Sequence, residues 1–181
     1  MKPTYLLLIL AVFGFSSCFQ HSPAQNGKPT AKNKSEVYQS KNPVATAAEI
    51  LEKRQVPVLC YHHIREPKPG QSLTLESYAV TPEEFASQMK ALKDSGYQTI
   101  LPDDLYSYLV YGKKLPAKPV MITFDDTDEE QFTIGSKEMK KYGFKGVFFV
   151  MTVSIDKPRY MTRAQLKELS DEGNAVESHT W

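Results

Sequence analysis

The sequence is poor in cysteine, with two in 181 residues, and it has one tryptophan and four histidines. Two cysteines cannot build a disulfide-rich scaffold. Neither charge is in excess: 22 Lys and Arg stand against 21 Asp and Glu, a formal net charge of +1. A chain this near to neutral gives no electrostatic case for a nucleic-acid partner, which needs a basic surface to replace counterions. Long apolar runs are missing too. Tyr5 to Phe15 is unbroken apolar residue and glycine, but a membrane-spanning helix takes about 20 such residues. What remains is ordinary: 41% hydrophobic and 24% charged, the balance of a folded protein of about one domain.

The apolar run follows Lys2 and is followed by Ser16-Ser17-Cys18. A basic start, a short apolar stretch and small residues form the pattern of a secretory signal peptide. Small residues ending in a cysteine resemble a bacterial lipobox, with Phe15 where leucine is usual. That resemblance implies lipid on Cys18, and an exported protein held at a bacterial membrane in the cell envelope, or secreted. Cys60 is then left without a partner and is expected to be a packed strand residue. Residues 19–54 are rich in Lys, Asn, Ser, Gln, Pro, Ala and Thr. So little apolar surface cannot offset the entropy of ordering, and the segment is expected to be a flexible tether.

Residues 55–181 alternate short apolar runs with helical patterns. Val56–Tyr61, Tyr97–Leu101, Pro119–Phe124, Gly146–Val150 and Asn174–Ser178 are expected strands. Thr81-Pro82-Glu83-Glu84 and Thr162-Arg163-Ala164-Gln165 are capping boxes that open helices, stopped at Gly96 and Gly173. Asp103–Tyr111 is a further helix. Phe132, Gly135, Met139 and Tyr142 share one side of another. Strand then helix, repeated, predicts an α/β domain with parallel strands and helical crossovers. Such sheets put polar groups at the C-terminal ends of their strands. Asp125 and Asp126 follow one strand there, and His179 follows another.

Adjacent carboxylates repel, and a divalent cation relieves that cost. An imidazole nitrogen beside a carboxylate suits zinc. A cation on Asp126 and His179 would leave Asp125 to act as a base on water. Taken alone, the same acids also suit the N-terminus of the helix that follows, and His179 also suits a structural role.

Val56-Pro57-Val58-Leu59-Cys60-Tyr61-His62-His63-Ile64, the Thr81–Leu92 segment, Gly96-Tyr97 and Ile122-Thr123-Phe124-Asp125-Asp126 resemble the polysaccharide deacetylases, the NodB-homology domains of carbohydrate esterase family 4. The likeness is to the branch acting on poly-N-acetylglucosamine, over about residues 55–181. The family's first motif is Thr-Phe-Asp-Asp-Gly, and here Thr127 replaces the glycine. Its second is His-(Ser or Thr)-x-x-His, whose opening matches His179-Thr180. The resemblance implies an incomplete (β/α) barrel of the polysaccharide deacetylase type. It implies Asp125 as general base, Asp126 and His179 as ligands of a divalent metal, zinc first, and His62 as general acid with His63 the second choice. The partner is an N-acetylated polysaccharide, and the reaction is hydrolysis of its acetamide. The second motif's closing histidine would fall two residues beyond Trp181, and an arginine and later strands of the family are not found. The expectation is therefore a C-terminally truncated copy, with weak zinc binding and no turnover from these residues alone.

Two other readings remain. Asp126-Thr127-Asp128 is similar to the Asp-x-Asp of haloacid-dehalogenase phosphatases, but Glu130 stands where Thr or Val is usual. A surface lipoprotein that holds glycan without cleaving it would use aromatics such as Tyr61, Phe124 and Trp181.

Overall fold

The computed structural model describes residues 43–180. Elements in chain order are α1 (Ala47–Leu51), β1 (Val58–Tyr61), β2 (His63–Ile64), α2 (Leu73–Ser77), β3 (Ala79–Val80), α3 (Pro82–Asp94), β4 (Gln98–Thr99), α4 (Pro102–Tyr111) and β5 (Pro119–Phe124). A π-helix (Gln131–Ser136) then runs into α5 (Lys137–Lys141), followed by β6 (Val147–Val150), α6 (Arg163–Asp171) and β7 (Ala175–Ser178). No helix among the described residues is long and apolar enough to cross a membrane.

The expected strands pair in parallel. The main sheet has the order β1-β5-β6-β7, and β4 pairs with the first residues of β5. β5 lies at its centre and all six of its residues are buried. β1 and β7 are its edges among the described residues. The helices start where the sequence marks them. Thr81 accepts from the Glu84 amide while the Glu84 carboxylate takes the Thr81 amide at 2.9 Å. Thr162 and Gln165 repeat the arrangement.

Side chains alternate across the sheet and build two cores. On one face Tyr61, Ile122, Phe124 and Phe148 meet Phe85 and Met89 of α3, Met139 of α5 and Leu169 of α6. On the other, Met121 and Val147 meet Ile100, with Leu101, Leu105 and Leu115 packed around them.

Three observations depart from the sequence reading. Cys60 is exposed rather than packed. It lies on edge strand β1, opposite Thr123, and the alternation that buries Tyr61 turns Cys60 to the other face. The end of the expected tether is structured: Thr46 and Glu49 form a capping box on α1, and the Ala45 amide donates to Val110 O at 2.8 Å. A second, two-stranded parallel sheet joins β2 to β3. Residues 1–42 of the signal and tether, Cys18 among them, and Trp181 lie outside the described residues.

Candidate active site at the strand ends

The strand ladders run one step past each strand and so fix the polar residues that follow. The Asp125 amide donates to Tyr61 O at 3.0 Å, and the His179 amide donates to Val150 O at 3.0 Å. Three chain segments are thereby held at one rim. His62 Nε2 lies 3.9 Å from Asp125 Oδ2. His179 Nε2 lies 3.8 Å from the same oxygen and 3.7 Å from Asp126 Oδ1. All four side chains are partly exposed. The structure thus brings Asp125, Asp126 and His179, which the strand pattern put at strand ends, to one place, together with His62, which only the family resemblance named.

The tautomer of His179 follows from its neighbour. Its Nδ1 lies 2.8 Å from Thr180 O. A carbonyl only accepts, so Nδ1 carries the proton and a neutral ring turns the lone pair of Nε2 toward the two aspartates. His179 Nε2 thus faces one oxygen of each aspartate, at 3.8 Å from Asp125 and 3.7 Å from Asp126. A carboxylate oxygen and an imidazole nitrogen make a donor set that zinc takes, and a backbone carbonyl on the far ring nitrogen is the usual outer support of such a ligand. Asp126 and His179 therefore offer two donors of the kind a divalent cation takes.

The turn that aims the acids is strained. Asp126 and Thr127 have φ of 75° and 68°. A β-branched residue rarely adopts that region, which costs on the order of 1–3 kcal/mol. Thr127 replaces the freedom of glycine with hydrogen bonds. It is fully buried; its Oγ1 accepts the Met151 amide at 2.7 Å, and its carbonyl accepts the Met161 amide at 2.9 Å.

Gln131 carried no motif in the sequence, yet it ties the site together. It is fully buried at the start of the π-helix. Its Nε2 donates to the carbonyl of His62 at 2.8 Å and also to that of Asp125. One amide thus links the backbones that carry the two proposed proton-transfer groups. A buried glutamine beside a π-helical turn was the available signal, and only the fold makes it visible.

His63, the second choice for the acid, points elsewhere. Its Nδ1 lies 3.3 Å from Asp128 Oδ2 and 3.3 Å from Glu130 Oε1. Burial, then the nearby Glu130 carboxylate, push Asp128 up from its ordinary 3.8 to about 7. The folded state therefore keeps a proton that the unfolded chain releases near pH ~4. That contribution to stability is complete below ~4 and is lost as pH rises through about 7. Asp128→Asn cannot titrate, and it is expected to flatten the decline. Urea midpoints at about pH 5 and about pH 8, with a chelator present, measure the difference. An unchanged pH slope would show that another group is responsible.

Comparison with known proteins agrees with the fold. Residues 112–181 match the profile of the polysaccharide deacetylase family. Bacillus subtilis YxkH, provisionally named a polysaccharide deacetylase, is 31% identical over 96% of this chain and 64% of its own length. The poly-β-1,6-N-acetyl-D-glucosamine N-deacetylase of Staphylococcus epidermidis is 29% identical over 71% of this chain and 49% of its own. The solved structure of the Streptococcus pyogenes deacetylase PplD, in complex with acetate, superposes with a TM-score of 0.62 at 28% identity, covering 69% of this chain and 56% of that one. IcaB from Ammonifex degensii gives 0.60 at 28%, covering 69% and 52%. The chain is an α/β protein whose parallel strands are consistent with part of a (β/α) barrel, and over residues 112–181 it is similar to the polysaccharide deacetylase family. It spans between about half and two thirds of the length of these curated relatives.

Proposed function

We propose that these residues carry the site of a metal-dependent N-deacetylase acting on an N-acetylated polysaccharide of the poly-N-acetylglucosamine kind. The observation that carries the reading is the facing of His179 Nε2 with Asp125 and Asp126 at 3.8 and 3.7 Å, while His179 Nδ1 is committed to Thr180 O. Asp126 and His179 would hold a divalent cation, zinc first. When bound, it would supply Lewis acidity to an acetamide carbonyl and lower the pKa of water. Asp125 accepts the proton of the attacking water, and its backbone is held by Tyr61 O and Gln131. His62 Nε2 lies 3.9 Å from the Asp125 oxygen that also faces His179, and its ring is edge-on to Tyr78 with centroids 4.9 Å apart. As an imidazolium it gives a proton to the departing sugar amine, which is a poor leaving group without one.

The rival readings fare differently. Of the aromatics suited to holding glycan, Tyr61 and Phe124 are buried in the core, and Trp181 lies outside the described residues. Asp128, which a phosphatase would need in the open site, is buried against His63.

Acetate release from an N-acetylglucosamine oligomer tests the proposal. It is measured on the 181-residue chain and on that chain fused to the remaining strands of the Ammonifex degensii barrel. With two protein ligands, this site in the chain alone is expected to hold zinc weakly and release no acetate. The fused protein is expected to turn over. A fused protein that folds and binds zinc yet releases no acetate overturns the reading.

We place the protein outside the cytoplasm, anchored through lipid on Cys18. A labelled fatty acid should enter the wild type in a bacterial host and not Cys18→Ser. Equal labelling of both removes the anchor.

A further inference from the structure

A second cluster of metal-ligating side chains lies apart from those four residues and shares none of them. His63 comes from β2, which β3 holds in place: the His63 amide donates to Tyr78 O at 3.1 Å. Asp128 and Glu130 come from the segment between β5 and the π-helix, where the Asp128 carbonyl accepts the Gln131 amide at 3.1 Å. The His63, Asp128 and Glu130 side chains are 15%, 9% and 17% exposed. One ligand atom from each lies within 4.8 Å of the others. Two edges of the cluster, from His63 Nδ1 to Asp128 Oδ2 and to Glu130 Oε1, are both 3.3 Å. Ligand atoms bound at about 2.0–2.1 Å in a tetrahedron stand about 3.3–3.4 Å apart.

The bare cluster is poorly satisfied. A single Nδ1–H can serve one carboxylate well, yet it lies equally far from two, and 3.3 Å exceeds the usual ~2.7–2.9 Å of a charge-assisted bond. The Asp128 carboxylate is nine-tenths buried, and among the described residues its one ion-pair partner is that same nitrogen. Arg65 Nη1 approaches Glu130 only to 3.9 Å. A buried carboxylate without a hydrogen-bond donor close enough to serve it needs a proton or a cation.

We propose that His63, Asp128 and Glu130 form a second divalent-cation site, for zinc or a similar first-row ion, that ties β2 to the start of the π-helix. One nitrogen and two carboxylate oxygens from rigid backbone make a three-ligand set, and the residual exposure admits the ion and a water. Its role is to hold the fold: it clamps the residue beside His62 to the segment carrying Gln131. The inference does not depend on the catalytic reading.

The test removes the first site and asks what remains. The 181-residue protein carrying Asp126→Asn and His179→Ala is titrated with Co²⁺ and with Zn²⁺ by calorimetry and visible absorption. One ion per chain is expected to remain, with a rise in Tm. Adding Asp128→Asn or Glu130→Gln should weaken it by at least roughly 10–100-fold, the loss seen when even an outer partner of a ligand is removed. The Co²⁺ spectrum of the folded parent needs no further variant: histidine and oxygen donors give visible bands without a thiolate charge-transfer band. A thiolate band would place the ion on Cys60, which lies with His62 and Asp125 in another possible cluster. That result, or no ion in the parent, or undiminished binding in Asp128→Asn or Glu130→Gln, overturns the proposal.

Discussion

Phe124→Ala is expected to cost about 3–5 kcal/mol, toward the upper end of that range. The ring is fully buried at the end of β5. It stacks on Phe148 with centroids 4.7 Å apart and planes at 11°, and it lies 5.8 Å from Tyr61. Two glycines flank its edges: a Cβ on Gly135 would come 3.2 Å from Phe124 Cε1, and one on Gly146 would come 3.1 Å from Cε2. Those glycines have no side chains to swing into the space the ring leaves. The cavity would stay open, and the penalty grows with residual cavity volume. Against a total stability of about 5–15 kcal/mol, such a loss leaves the domain marginal or unfolded. The shift in urea midpoint measures it, with Phe124→Leu as the smaller perturbation. A midpoint shift that corresponds, through the m-value, to less than about 1 kcal/mol would show that the neighbours collapse after all. Because Asp125 is the next residue, the same ring also sets where the proposed base stands.

The sequence shows clearly those features that repeat or cap. The Thr81–Glu84 and Thr162–Gln165 boxes predict two helix starts, and both form. The apolar run Pro119–Phe124 predicts the central strand to the residue. Parallel strands then carry Asp125 and His179 to one rim with no loop to guess, which is why that convergence was legible. Features made of very few residues, or dependent on partners far along the chain, were not. β2 and β3 hold two residues each, too few to show a period of two. The π-helix differs from an α-helix by the count of residues in a turn, and the buried face of Phe132, Gly135 and Met139 looks alike in both. Gln131 reaches the carbonyl of His62 across 69 positions of chain. Thr127 departs from the family's glycine, but only the fold shows that its hydroxyl meets Met151. Cys60 departs from the packed expectation because strand membership alone does not say which face an edge strand leaves open.

Asp125→Asn and Asp126→Asn are expected to fail in different ways, although the residues are adjacent and the change is the same. Asp125 directly follows β5, its amide bonded to Tyr61 O and one carboxylate oxygen within 3.9 Å of two imidazoles. Asp126 has φ of 75°, so its backbone turns sharply there and its Oδ1 approaches His179 but no other histidine among the described residues. A base takes a proton and a ligand holds a cation, and amide in place of carboxylate destroys each job separately. In the fused barrel, Asp125→Asn should keep zinc within about tenfold of the parent while acetate release falls by roughly 10²–10⁴, the usual share of general base catalysis. Asp126→Asn should instead weaken zinc by at least about 10–100-fold, with turnover falling in step and partly restored by added metal. Calorimetry with zinc and an acetate assay on the same preparations separate the two. Equal loss of zinc in both variants would make both carboxylates ligands, and the proton of the attacking water would then have to go to His62 or to a group beyond these four.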